Sequence, residues 1–235
     1  MKQQKPALLA VLLYGFSMCF VSCKKDNNSD AAQCRVTDIK SNDSISSEYG
    51  LSYNADKKIS VITLAPYKGK RLFTYSGNFI FRAVMDSSGN IIQSDTLSLN
   101  KNGLVSSIAS YFVGNGSHSY EAMVYDSKNQ LIGVTGASAS NTFVNYTWRN
   151  GDMVSIKYIT TDTEIMNYYT DKPADNGDYL RIMSFTEWGL PLFKCNHLFK
   201  GSGNNIFTYT YDADGKITSV LNNRTVLYTY TYSCD

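Results

Sequence analysis

Two histidines, four glutamates and five cysteines are the residues of this 235-residue chain whose chemistry reaches beyond packing. Cys195-Asn196-His197 places two soft ligands two positions apart, on one face if the segment is a strand. A structural metal site needs four ligands, and a Cys–His catalytic pair needs a third group to orient the base. Nothing near in sequence supplies either, so the pair reads as a buried thiol beside a polar-capped imidazole. Asp212-Ala213-Asp214-Gly215 opens like a calcium loop but lacks the distal bidentate glutamate. A glycosidase needs two carboxylates flanking a cleft, and Glu121 with Glu164 is one pair the sequence allows without any motif selecting it. No Gly-x-Ser-x-Gly, His-Glu-x-x-His or Walker-type loop occurs. The Gly114-Asn115-Gly116-Ser117-His118 run has the chemistry of a hairpin tip. No catalytic, metal or cofactor residue is therefore assigned. Among the aromatics, Trp188 beside Gly189 and Pro191 is the expected ligand-binding residue, and the alternating tyrosines are expected to pack across strands.

The elements that must carry these residues begin after an unusual amino terminus. Lys2 and Lys5 form a positive start, and Ala7 to Phe20 is apolar but too short to span ~30 Å of hydrocarbon comfortably. This is the pattern of a removable signal over residues 1–22. Residues 24–33 are polar and aperiodic, as expected of a flexible tether. Without Lys2 and Lys5 the 22 basic residues become 20, against 20 acidic ones, so the remaining chain is formally neutral. A neutral chain without a basic cluster is not expected to bind nucleic acid.

From Cys34 onward the period is two. Val144, Tyr146 and Trp148 alternate with Asn145 and Thr147, and Val226, Tyr228, Tyr230 and Tyr232 alternate with Leu227, Thr229, Thr231 and Ser233. Such alternation predicts strands. The runs end in repeated turns. Tyr211-Asp212-Ala213-Asp214-Gly215-Lys216-Ile217 is the clearest, with further copies starting at Tyr53, Met85, Leu99, Tyr125 and Trp148. In each, an aromatic or aliphatic residue ends a strand and Asp or Asn caps the turn. Gly or Asn supplies positive φ, except where Lys57 takes that place, and an aliphatic residue opens the return strand. The spacing is uneven, which predicts a meander of unequal hairpins rather than a solenoid. Residues 171–205, with Pro173, Pro191 and a Gly-Asn-rich turn, break the pattern and are expected to form an irregular excursion over one sheet opening. Asp178 to Phe185 within it reads as a short helix or a strand.

Phe20-Val21-Ser22-Cys23 resembles the lipobox of bacterial lipoproteins, with Phe20 where Leu is usual. The resemblance implies acylation of Cys23 and cleavage before it. Two or three acyl chains anchor a protein stably where one does not. Cys23-Lys24-Lys25-Asp26 followed by Asn and Ser resembles the start of Bacteroidota lipoproteins. It implies an outer-membrane lipoprotein facing either the periplasm or the cell surface. The Tyr-Asp-x-x-Gly-Lys-Ile units resemble the tyrosine–aspartate repeats of Rhs-type shell proteins. They are more similar to an uncharacterised group of Bacteroidota lipoproteins described as having a porin-like fold. That resemblance, over about residues 35–233, implies an all-β antiparallel sheet curled toward a barrel, as one domain over 34–235, and implies no activity.

Three cysteines remain after Cys23: Cys34, Cys195 and Cys234. An oxidising compartment permits one bridge and leaves one thiol. Cys34 opens the first strand and Cys234 closes the last, so a curled sheet would bring them together. The alternative is three reduced thiols with Cys195 buried among Leu192, Phe193, Leu198 and Phe199. The expected function is non-enzymatic binding of a glycan, peptide or protein partner by a membrane-anchored protein. The alternatives are a carrier holding an apolar ligand inside the curl, and a glycan-directed hydrolase.

Overall fold

The structure is a computed structural model that describes residues 34–42, 47–136, 142–159 and 161–234. The expected signal, Cys23 and the tether lie outside these residues. The described chain is an antiparallel meander closed into a barrel. Its first eight strands are β1 (Cys34–Ser41), β2 (Glu48–Tyr53), β3 (Ile59–Ala65), β4 (Gly69–Ser76), β5 (Phe79–Met85), β6 (Ile91–Leu99), β7 (Val105–Phe112) and β8 (Ser117–Tyr125). The next four are β9 (Leu131–Thr135), β10 (Thr142–Arg149), β11 (Asp152–Tyr158) and β12 (Thr163–Pro173). After the single helix α1 (Tyr179–Trp188) come β13 (His197–Ser202), β14 (Asn205–Tyr211), β15 (Ile217–Asn222) and β16 (Thr225–Cys234). Each strand pairs with its sequence neighbours, and β16 pairs with β1 to close the ring. Cys34 and Cys234 are joined by a disulfide across that seam.

Such a meander sorts its connections. The turns leading from even to odd strands gather at one end of the barrel with Cys34 and Cys234, and the connections from odd to even strands at the other. The predicted turns share one geometry. In the turns at Asp86, Asn100, Asp126 and Asp212, the side-chain Oδ1 accepts the backbone N–H groups two and four residues on, at 2.8–3.1 Å. These N–H groups hold the Asp86 and Asp212 carboxyls below the usual range. The residue three positions on takes positive φ: Gly89, Gly103, Asn129 and Gly215. Lys57 holds the same place after Asn54, with φ 65°. A residue with a Cβ is disfavoured there by sterics. Lys57→Gly is therefore expected to stabilise the fold by about 0.5–1 kcal/mol, read as a higher urea midpoint with unchanged slope. An unchanged or lower midpoint would show that the lysine's own contacts outweigh the strain.

The end that holds Cys34 and Cys234 is packed shut. An apolar residue near the start of an odd strand is buried, and its carbonyl accepts a bond from an aromatic of the next strand. Among the described residues seven such bonds run around the wall: Tyr53 to Val36, Tyr75 to Ile59, Tyr125 to Val105, Trp148 to Leu131, Tyr168 to Met153, Tyr209 to Phe199 and Tyr232 to Ile217. The β5–β6 pair lacks one because β6 ends in Leu99. Burial pushes the hydroxyls of Tyr53, Tyr75 and Tyr125 up to about 12. Each ring thus fills the core while its hydroxyl meets a carbonyl that would otherwise lie buried unpaired. The outer wall differs. Thr210, Ser219, Thr229, Lys40 and Glu48 form a row across five strands, closed by the Lys40–Glu48 ion pair at 3.2 Å.

Sixteen strands enclose a lumen too wide for wall side chains to fill. The expected excursion fills it. It is shorter than expected, since β12 runs to Pro173 and β13 starts at His197, and it lies inside the barrel rather than over an opening. Asp178 caps α1, accepting from the N–H groups of Leu180 and Arg181, and Gly189 ends it in the left-handed region. A Cβ on Gly189 would meet the Phe73 ring at 2.6 Å. At the start of α1, Tyr179 stacks on Phe207 of β14 at 4.3 Å. At its end, Arg71 of β4 and Arg82 of β5 bond Glu187. These walls are far apart around the ring, so the helix crosses the lumen. Its return leg brings Phe193 to Tyr146 and Asn196 to Gly151 at the shut end.

Candidate functional site: a polar vestibule above the helix

The half of the lumen beyond α1 carries polar side chains exposed to solvent. Register decides which side chains face it. Glu121 sits opposite the buried Ile108, Tyr158 opposite Val144, and Glu164 opposite the buried Ile156. All three therefore point inward. Tyr158 is nonetheless 42% exposed, Met183 on α1 is 41% exposed, and the Glu187 side chain is 45% exposed. Inward-facing groups with such exposure line a vestibule that solvent reaches.

An ionic latch ties its floor to its wall. Arg82 Nε donates to Asp95 Oδ2 at 2.7 Å, and its Nη1 to Glu187 Oε1 at 2.9 Å. Arg71 Nη2 donates to Glu187 Oε2 at 2.8 Å. The two guanidinium groups also donate to the Thr186 and Glu187 carbonyls. The last turn of a helix leaves its carbonyls without intrahelical partners and carries partial negative charge, so two arginines there satisfy both needs. Gln93 donates to the other Asp95 oxygen at 2.9 Å. Burial draws the Arg71 guanidinium below its usual range, with Glu187 opposing. Trp188, the aromatic singled out for ligand binding, closes α1 beside this latch. Its half-buried ring lies under Arg82, whose guanidinium carbon is 4.4 Å from the ring centre.

Sequence reasoning missed this latch, although a signal existed. Ile80, Arg82 and Val84 share one strand face, as do Leu97, Asp95 and Gln93, so each apolar period carries one charge. The two charges are direct cross-strand partners. Glu121 and Glu164, by contrast, form no ion pair among the described residues. Burial, then the nearby Asp95, raises the Glu121 carboxyl above its usual range. Burial also pushes Tyr146 up to about 12, with Tyr158 and Glu121 adding to it.

The structure separates the other residues weighed for chemistry. His197 Nδ1 lies 2.7 Å from Asp152 Oδ2, while Asp152 Oδ1 accepts the N–H groups of Asn196 and His197. Cys195 contacts the Tyr168 hydroxyl at 3.4 Å instead, and burial raises its thiol. The thiol and the imidazole thus have separate partners, Tyr168 and Asp152. Asp212 and Asp214 hold Lys216 at the tip of their turn. His118 lies at the start of β8, its ring 4.8 Å from Tyr111 on the outer wall.

Asp178 gives the helix floor a pH dependence. It is 5% exposed and also accepts from Phe199 N–H at 2.8 Å. Burial raises its carboxyl to about 6, against the three N–H bonds. A folded state that binds the proton more tightly than the unfolded chain gains stability from it below about pH 4 and loses that gain as pH rises through about 6. Asp178→Asn should remove this dependence. The stability difference between variant and parent should change by up to ~3 kcal/mol between pH 4 and pH 7.5, measured by urea unfolding. A constant difference across that range would refute the linkage.

Fold and site together define a cup: a closed barrel shut at one end, floored by a helix, and open at the other over a polar chamber. No protein-family model matches the chain, and no curated protein is significantly similar to it.

Proposed function

We propose that this is a lipid-anchored cell-envelope protein that binds a neutral or cationic hydrophilic ligand, most simply the end of a glycan chain, in the vestibule without catalysis. The carrying observation is that solvent reaches Tyr158 and Glu164 on the inner wall and Glu187 on α1 below them. Tyrosine rings suit sugar faces, and carboxylate and amide oxygens suit hydroxyl edges. The surplus carboxylates Glu121 and Glu164 repel anions. In this reading Cys23 is acylated, and the lipoprotein resemblance supplies the anchor. The apolar-carrier alternative fits less well, because α1 and residues 190–196 occupy the space an apolar cargo would take.

Glycan-array binding by the full chain tests the proposal. Glu121→Gln and Tyr158→Ala should each weaken the best-bound neutral glycan about ten-fold, about 1.4 kcal/mol. Unchanged binding in both variants would move the site elsewhere. A hydrolase is the second reading, favoured by the raised Glu121 carboxyl on the same lumen as Glu164. Products released from a bound glycan by the parent and abolished by Glu121→Gln would select it.

A further inference from the structure

A second concavity lies at the shut end, outside the lumen. It measures about 440 Å³ and is bounded by the turns between β6 and β7 and between β8 and β9, by Trp148, and by the return leg at Leu192, Lys194 and Asn196. This falls in the usual range of ligand pockets, roughly 300–1,000 Å³. Its walls are fixed. Asn196 is held by the Gly151 carbonyl and by Asp152, and its side chain lies where a Cβ on Gly151 would sit. Asn102 donates to Asn129 at 2.7 Å across the two turns. The Trp148 ring is fixed by its bond to Leu131 at 2.7 Å.

Its charge is one-sided. Lys128 and Lys194 line it, no carboxylate does, and neither lysine has an ion-pair partner among the described residues. The neighbouring acids are engaged: Asp126 caps its own turn, and Asp152 holds His197. In another turn of the same kind the lysine is paired instead, Lys216 with Asp212 and Asp214. Two ammonium groups and an indole on one concavity, with the Asn102, Asn129 and Gln130 amides beside them, combine an anion clamp with a sugar platform.

We propose that this concavity binds an acidic saccharide, with the sugar ring against Trp148 and its carboxylate between Lys128 and Lys194. It is a different site from the vestibule and selects the opposite charge. Calorimetric titration of the full chain with trigalacturonate should give saturable binding that weakens as salt rises. Galactotriose should bind here at least ten-fold more weakly, and inorganic phosphate alone should not match the trisaccharide. The Lys128→Gln/Lys194→Gln variant carries two exposed substitutions and should lose at least ten-fold in affinity for trigalacturonate. Glu121→Gln should leave that affinity unchanged. Equal binding of galactotriose, equal binding of phosphate, or retained affinity in the double-lysine variant would each overturn the proposal. A loss caused by Glu121→Gln would also overturn it, by assigning the ligand to the vestibule.

Discussion

The Cys34→Ala/Cys234→Ala variant is expected to lose about 5 kcal/mol of stability, on the loop-closure account of cross-links. The bridge spans 200 residues of sequence, nearly the whole barrel, so it removes a large share of the unfolded chain's freedom. The native state should survive its loss, because β1 and β16 still pair from Arg35 opposite Ser233 to Ser41 opposite Tyr228. A loss of this size is comparable to the whole stability of a marginal domain, ~5–15 kcal/mol. Urea unfolding of the oxidised parent, the reduced parent and the double variant measures it. The last two should share one midpoint well below the first. Coincident midpoints for all three would show that the bridge does not constrain the unfolded chain.

Arg82→Leu is expected to cost about 3–5 kcal/mol, because it leaves Asp95 buried without its partner. The Asp95 side chain is 0% exposed and that of Arg82 is 2% exposed, so no solvent replaces the lost guanidinium. The same change frees the Glu187 carbonyl at the end of α1 and uncovers the Trp188 ring. The double variant Arg82→Leu/Asp95→Leu should recover most of the loss, since a buried pair replaced by apolar residues is often near neutral. Thermal unfolding of the single and double variants decides between outcomes. A double variant as unstable as the single one would show that the latch acts through α1 and not through the buried charge.

The strands and turns were legible because both are local. Period two and the Asp-x-x-Gly spacing read out from Tyr211 to Ile217, and Lys57 stood in the glycine place with the positive φ that place demands. Ring closure was legible only as an expectation, since the β1–β16 pairing depends on the summed curl of every strand between. The site was less legible. Its residues come from β5, β6, β8, β11, β12 and α1, and which of them face inward follows from register, which bulges shift by one residue at pairs such as Val84/Met85. The placement of α1 was hidden for a different reason. Gly189, Pro191 and mixed polarity are as compatible with a surface loop as with a helix that turns its last carbonyls toward two wall arginines. The surroundings of Trp188 were hidden in the same way: its neighbours in sequence are loop-like, while its neighbour in space is Arg82.

The order in which strands neighbour one another has a kinetic consequence. Apart from the β12–β13 pair, which spans the α1 excursion, every ladder but one joins strands separated by a short turn. Such pairings need little chain to be brought together before contacts reward the ordering. The exception is β1 with β16, whose partners lie about as far apart in sequence as the chain allows. Assembly can therefore proceed as zippering of adjacent hairpins into an open, twisted ribbon, with one long-range event left over. Until that event the ribbon has two unpaired edges, β1 and β16, each a template for another chain. Ring closure removes both edges at once, and the cysteine pair lies on the seam where they meet.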